Sequence, residues 1–180
     1  WRNLDNSIMP IVINGSGTVT GLSVGGLPDG CVDRDTLATT AKGSILQVQT
    51  AVLDDTQLDL NSTTWTDTGL SVNITPIATN SKCIVQFSGM GRSSSTAGFT
   101  LEIREEDTAI GQQGMNAHGG SQWHGVSFQT SPFTPSWTAG TERTFDLYWR
   151  SINTNNTVYL GWGSGEGGSR MSLTAWEIAQ

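Results

Sequence analysis

Charge is scarce in this 180-residue chain: Asp, Glu, Lys and Arg together make up 14% of it, against about a quarter in an ordinary soluble domain. The shortage falls hardest on cations. Nine Lys and Arg face sixteen Asp and Glu, for a formal net charge of −7, which disfavours DNA, RNA and acidic lipid surfaces, all of which need clustered basic groups. Cysteine is nearly absent: Cys31 and Cys83 form no CxxC or CxxH unit, so a zinc site is not expected. Cys83 alternates with Val85 and Phe87 and reads as a small buried strand residue, so both thiols are expected to be reduced. Long apolar runs are missing too; none approaches the ~18 residues of a membrane span. Heptads of Leu, Glu and Lys are absent, which excludes a coiled coil.

Hydroxyls take the place of the missing charge, with 19 Ser and 24 Thr. The 22 Gly and 5 Pro stay below the level of low-complexity disorder. The 36% hydrophobic content suffices for one core in a chain of this size. A Thr/Ser/Val/Ile/Trp-rich composition points to an all-β protein. The sequence opens on Trp1 with no charged-then-apolar leader, so it is expected to be a processed or C-terminal portion of something longer.

Residues 1–43 differ from the rest. Asn14-Gly15-Ser16-Gly17, Gly25-Gly26 and Leu27-Pro28-Asp29-Gly30 punctuate apolar pieces too short to close a sheet. They predict an extended N-terminal arm lying against another surface. One short helix is expected at its end: Asp33 caps it, Arg34 to Lys42 form its turns, and Gly43 stops it. From residue 44 to 180 the period is 2. Leu46-Val48-Thr50, Leu70-Val72-Ile74, Cys83-Val85-Phe87, Phe99-Leu101-Ile103 and Phe145-Leu147-Trp149 each alternate with more polar partners, and a last strand runs from Met171 to Ile178. With shorter runs near Ile110, Phe128 and Val158–Leu160, the pattern predicts eight to ten strands in an antiparallel β-sandwich of jelly-roll type.

Some strands carry apolar residues of both parities: Ile84 sits beside Cys83 and Val85, and Trp176 and Ile178 flank Glu177. A sandwich buries one face of each sheet, so the surplus needs a second cover. A homo-oligomer supplies it.

Several stretches form a familiar series. Ile13 to Leu22 leads into Gly25 to Gly30 and Asp35-Thr36-Leu37-Ala38. Gly43 to Gln49, Trp65 to Pro76 and Asn80-Ser81-Lys82 follow, and the chain closes on Ser172 to Ile178. Over residues 11–180 this resembles the C-terminal domains of tail-fibre and related virion proteins of tailed bacteriophages, especially of aquatic and cyanobacterial hosts. The resemblance implies a homotrimeric receptor-binding tip in the virion, assembled in the host cytoplasm. Its N-terminal arm would enter from a fibre shaft and contact other tail proteins. The stretch Gly111 to Trp137 departs from the family pattern in its extra Trp and His.

Seven Trp is many for this length. Trp65, Trp149 and Trp176 lie in strand patterns and are expected in the core or a subunit interface. Trp123, Trp137 and Trp162 lie in Gly/Ser/Pro-rich stretches, where an exposed indole offers a flat face and one N–H donor to a sugar ring. The bland alternative is that each plugs the end of its own sandwich. His118 and His124 neighbour these tryptophans and join the candidate ligand set; two histidines six residues apart do not make a metal shell, and no metal or cofactor is expected. The charge run Glu102 to Asp107 reads as a strand face, Glu102 and Arg104, followed by a solvated acidic turn. It is not taken as a glycosidase pair with Asp146 or Glu166. Glu177, on a half-buried strand, requires an Arg or several N–H partners; Arg143, Arg150 and Arg170 are the candidates. Four Asn-x-Ser/Thr matches, at Asn14, Asn61, Asn73 and Asn155, carry little weight, since about two or three arise by chance in this composition.

The sequence therefore points first to a non-enzymatic tip that binds host surface glycan or an outer-membrane protein. The alternatives are a virion structural, decoration or baseplate protein, a carbohydrate-binding module of a secreted enzyme and, last, a depolymerase.

Overall fold

The computed structural model describes residues 12–13, 19–20, 45–54, 56–94, 98–115, 122–135, 137–162 and 170–180. The expected helix over 33–43, Cys31, His118 and Glu166 lie outside them. The chain divides into two compact units, Trp1–Ala38 and Thr39–Gln180. In the first, β1 (Val12–Ile13) pairs antiparallel with β2 (Val19–Thr20).

The second unit is an antiparallel β-sandwich of jelly-roll type. Its strands are β3 (Ile45–Leu53), β4 (Leu58–Leu60), β5 (Thr66–Ile74), β6 (Lys82–Ser93), β7 (Phe99–Glu105), β8 (Thr108–Met115), β9 (His124–Gln129), β10 (Arg143–Ser151), β11 (Val158–Leu160) and β12 (Met171–Ile178). One sheet has four strands in the order β5-β10-β7-β8; the other has six, running β3-β12-β6-β11-β4 with β9 also paired to β6. The apolar parity of β5, β6 and β10 makes the core, with Leu70, Val72 and Ile74 of β5, Val85 and Phe87 of β6, and Phe145, Leu147 and Trp149 of β10 all buried. Gly89 and Gly91 of β6 are needed here, because a Cβ on either would drive into the rings of Phe87 and Phe99.

Two expectations change. In β3 the apolar set faces out: Val48 and Val52 are exposed, while Ala51 and Leu53 pack on the core and Gln47 reaches inward to Glu177. The pairing of β3 with β12 fixes this face, since Ala51 lies opposite buried Leu173 and Val48 opposite Trp176. Glu102 is buried rather than solvated, its Oε1 2.6 Å from Arg104 Nε. The acidic turn is the exposed hairpin expected, with Glu106 and Asp107 open to solvent. Glu106 and Asp107 take the positive φ angles of a tight hairpin between β7 and β8, and Arg143 binds Glu105 and Glu106 at 2.9 Å each.

Candidate functional site

The outer face of the six-stranded sheet carries a row of aromatic and guanidinium groups. Alternation along β6 turns Gly91 and Ser93 inward and Arg92 outward. Arg92 lies directly opposite Tyr159 of β11, and on the other side Gly91 lies opposite His124, the first residue of β9. Trp123, one residue earlier, therefore falls beside Arg92. The guanidinium carbon sits 4.1 Å from the Tyr159 ring centroid and 4.9 Å from that of Trp123, within cation–π range of both. Trp162 then stacks on Trp123 at 6.0 Å with planes 9° apart. The result is a run of four groups, Tyr159, Arg92, Trp123 and Trp162, drawn from three segments of the chain: β6, the residue before β9, and β11 with the turn that follows it.

Gly161 delivers Trp162 to that run. Its φ of +73° turns the chain at the end of β11, and its N–H donates to Met90 O at 2.8 Å. A Cβ there would lie 2.2 Å from Thr56 O and 2.7 Å from Met171 Cε, so only glycine fits. Trp162 stays 42% exposed, so part of its indole faces solvent.

Trp123 and Trp162 are thus brought together, and the other candidates are not. Trp137 is a correction: at 4% exposure it belongs to the core. The chain after β9 stays on β6, with Thr130 N–H donating to Val85 O and Phe133 exchanging backbone bonds with Cys83. It then carries Trp137 between the sheets, where its Nε1 finds no acceptor among the described residues. His124 is half-buried and shares the parity of Val126 and Phe128, so it belongs to the opposite face from Trp123. Among the described residues no group of three His, Cys, Asp or Glu could hold a metal ion. Trp149 is buried in the core, and Trp176 lies half-exposed on the outer face of β12.

Arg92 and Tyr159 escaped sequence reasoning. The signal available was alternation: both stand at outward positions between inward neighbours, on strands that only the fold makes adjacent. A second cluster was missed in the same way. On the outer face of the four-stranded sheet, Arg150 lies 4.7 Å from the Trp65 ring centroid, and Arg104 lies 4.0 Å from that of Tyr148. Burial, and next the nearby Asp67 carboxylate, push the Tyr148 phenol above its ordinary range.

Among the described residues no arginine holds Glu177. Its carboxylate, wholly buried, accepts from Gln47 Nε2 at 2.6 Å, Ser81 Oγ at 2.6 Å, and the N–H groups of Ile77 and Ala78 at 2.9 Å each. Burial pushes its pKa up, but these four donors outweigh burial and hold it below the usual carboxylate range. The three arginines proposed for it lie elsewhere: Arg143 pairs with Glu105, Arg170 pairs with Asp54, and Arg150 rests on Trp65. Cys83 is a buried thiol pushed up to about 12, chiefly by burial.

No family model and no curated protein matches the chain. Among solved structures it is similar to the insecticidal delta-endotoxin Cry8Ea1 of Bacillus thuringiensis, at 16% identity over 68% of this chain and 19% of that one, with a TM-score of 0.42. It is also similar to infectious bursal disease virus, Gx strain, at 14% identity over 74% of this chain and 37% of that one, with a TM-score of 0.38. A third is a carbohydrate-binding module, CBM36, solved with calcium and xylotriose, at 14% identity over 64% of this chain and 97% of that one, with a TM-score of 0.31. The chain thus spans about a fifth of the endotoxin and just over a third of the viral protein.

Proposed function

We propose that this chain is the receptor-binding head of a phage tail fibre, a non-enzymatic homotrimer that holds a glycan of the host surface. The observation that carries the glycan reading is the parallel Trp123–Trp162 pair, 6.0 Å between centroids, with Trp162 left 42% exposed. Leaving an indole in water costs free energy that burial would recover, and the glycine geometry at Gly161 holds this one outside the core. A flat indole rimmed by hydrogen-bonding groups suits the apolar face and hydroxyls of a pyranose. The carboxylates of the charge run support a binding rather than hydrolytic role, since Glu102 and Glu105 are tied to Arg104 and Arg143.

A trimer suits the outer face of β3, β12 and β6, where Ile45, Val48 and Val52 are exposed. Val48, Trp176 and Ile84 form one apolar row across the three strands, with Ile45 beside Ile178 at its end. Weak sites repeated on one stalk would gain avidity.

The test is adsorption of the intact chain to host envelope polysaccharide. The double variant Trp123→Ala, Trp162→Ala should lose about 10–100-fold in affinity while keeping its fold. Full binding by that variant refutes the glycan site, and release of reducing ends from the polysaccharide refutes the non-enzymatic reading.

A further inference from the structure

Five arginines lie among the described residues, and they fall into two kinds. Arg104, Arg143 and Arg170 each pair with a carboxylate within 3 Å. Arg92 and Arg150 pair with none among the described residues and instead rest on aromatic rings. In a chain carrying sixteen Asp and Glu, these two guanidinium groups meet rings rather than carboxylates among the described residues. Asp59 of β4 stands opposite Tyr159, on the side of β11 away from Arg92, and among the described residues no ion pair joins the two.

Arg92 is the better prepared of the two. It lies within cation–π range of Tyr159 and Trp123, rings on the strands to either side of it, so little side-chain entropy remains to be lost on binding. Its Nε is enclosed without an acceptor, and no hydrogen bond or ion pair among the described residues uses its Nη groups. A guanidinium held in this way offers a planar fork of donors that matches a carboxylate in geometry and charge. The exposed Trp162 surface stands one ring beyond, on the far side of Trp123.

We infer that the Tyr159–Arg92–Trp123–Trp162 run selects an acidic saccharide, one sugar lying on Trp162 and the carboxylate of a uronic or ulosonic acid on the Arg92 fork. The inference rests on the glycan reading above and adds the charge of the ligand to it. It also accounts for how a chain of net charge −7 can hold an anionic polymer: attraction is confined to one fixed cation rather than spread over the surface.

The experiment uses the full chain on an array of bacterial lipopolysaccharides and capsular polysaccharides. Each is spotted in native form and again after its carboxyl groups have been reduced to primary alcohols, which keeps the rings and removes the charge. Binding to acidic polymers should fall about 10–100-fold on reduction. Arg92→Gln should bind both forms at the weaker level, while Arg150→Gln, on the other sheet, should keep the difference. Equal binding to native and reduced polymers overturns the inference and leaves the glycan reading standing. Arg92→Gln that still prefers the acidic form overturns it too. Binding to neither form overturns both. Should Arg92→Gln fail to fold, judged by its melting curve, the native-against-reduced comparison with the unaltered chain decides alone.

Discussion

The carboxylate of Glu177 and the hydroxyl of Ser81 lie 2.6 Å apart inside the protein, joining the last strand to the turn that precedes β6. With Gln47 and the backbone of Ile77 and Ala78, they make a closed set of donors around one buried charge. The folded pKa lies below the ordinary value, so the folded state favours the ionised form. The stability this contributes is complete above the unfolded pKa of about 4.3 and is lost as pH falls through the folded value. Urea midpoints should therefore be flat from neutrality to about pH 5 and decline below about pH 4. Glu177→Gln should lose about 2–3 kcal/mol at neutral pH and show a shallower acid decline. An unaltered acid limb in that variant would assign the effect to other carboxylates.

Gly161→Ala tests how the aromatic run is assembled. A β-carbon at φ +73° meets Thr56 O at 2.2 Å, and forcing the turn open moves Trp162 off Trp123. The expected loss is about 1–3 kcal/mol of stability, together with loss of the near-ultraviolet circular dichroism that two stacked indoles produce. Weakened polysaccharide binding should accompany that spectral change. A variant with the parent spectrum and parent stability would show that the turn does not position Trp162.

Trp137→Ala separates packing from binding. Because Trp137 fills space between the sheets, truncating it leaves a cavity and should cost about 3–5 kcal/mol. Chemical denaturation would measure this loss. Well below its lowered melting temperature, polysaccharide affinity should stay within about twofold of the parent, since the exposed stack lies on the outer face of the six-stranded sheet. A matching loss from Trp123→Ala, whose ring is only partly covered, would contradict that division.

The limits of the sequence follow from the same residues. Alternation locates Val72, Phe87 and Leu147 on the core faces because burial on one side of a sheet imposes period 2 directly. It misleads for β3, where Val48 and Val52 outrank Gln47 and Ala51 in hydropathy yet face outward, because register against β12 decides the matter. Trp123 and Trp137 occupy similar polar, proline- or glycine-flanked stretches, and no local pattern distinguishes an indole on the surface from one between the sheets. Arg92 acquires its meaning only from Tyr159 and Trp123, which come from strands 67 and 31 positions away in the chain. Strand order is a long-range property, and composition carries no trace of it.

The outer face of β3, β12 and β6 supplies the test of assembly. Ile45, Val48 and Val52 are 58%, 47% and 45% exposed in the single chain, and β3 ends its sheet, so its outer edge has no strand beside it among those described. An apolar, nine-residue edge strand invites pairing unless charge, proline or a cover protects it, and no residue of β3 is charged or a proline. A second and third copy placed against this face would bury the row from Val48 through Trp176 to Ile84. Light scattering of the intact chain should then report about three times 19.2 kDa. Val48→Glu combined with Trp176→Glu should give a folded species of single-chain mass, because the altered side chains lie outside the core and cost it little. A parent protein that is monomeric at micromolar concentration would remove the trimer from the proposal, while the Trp123–Trp162 site, beside the C-terminal end of β6, would still be open to its own test.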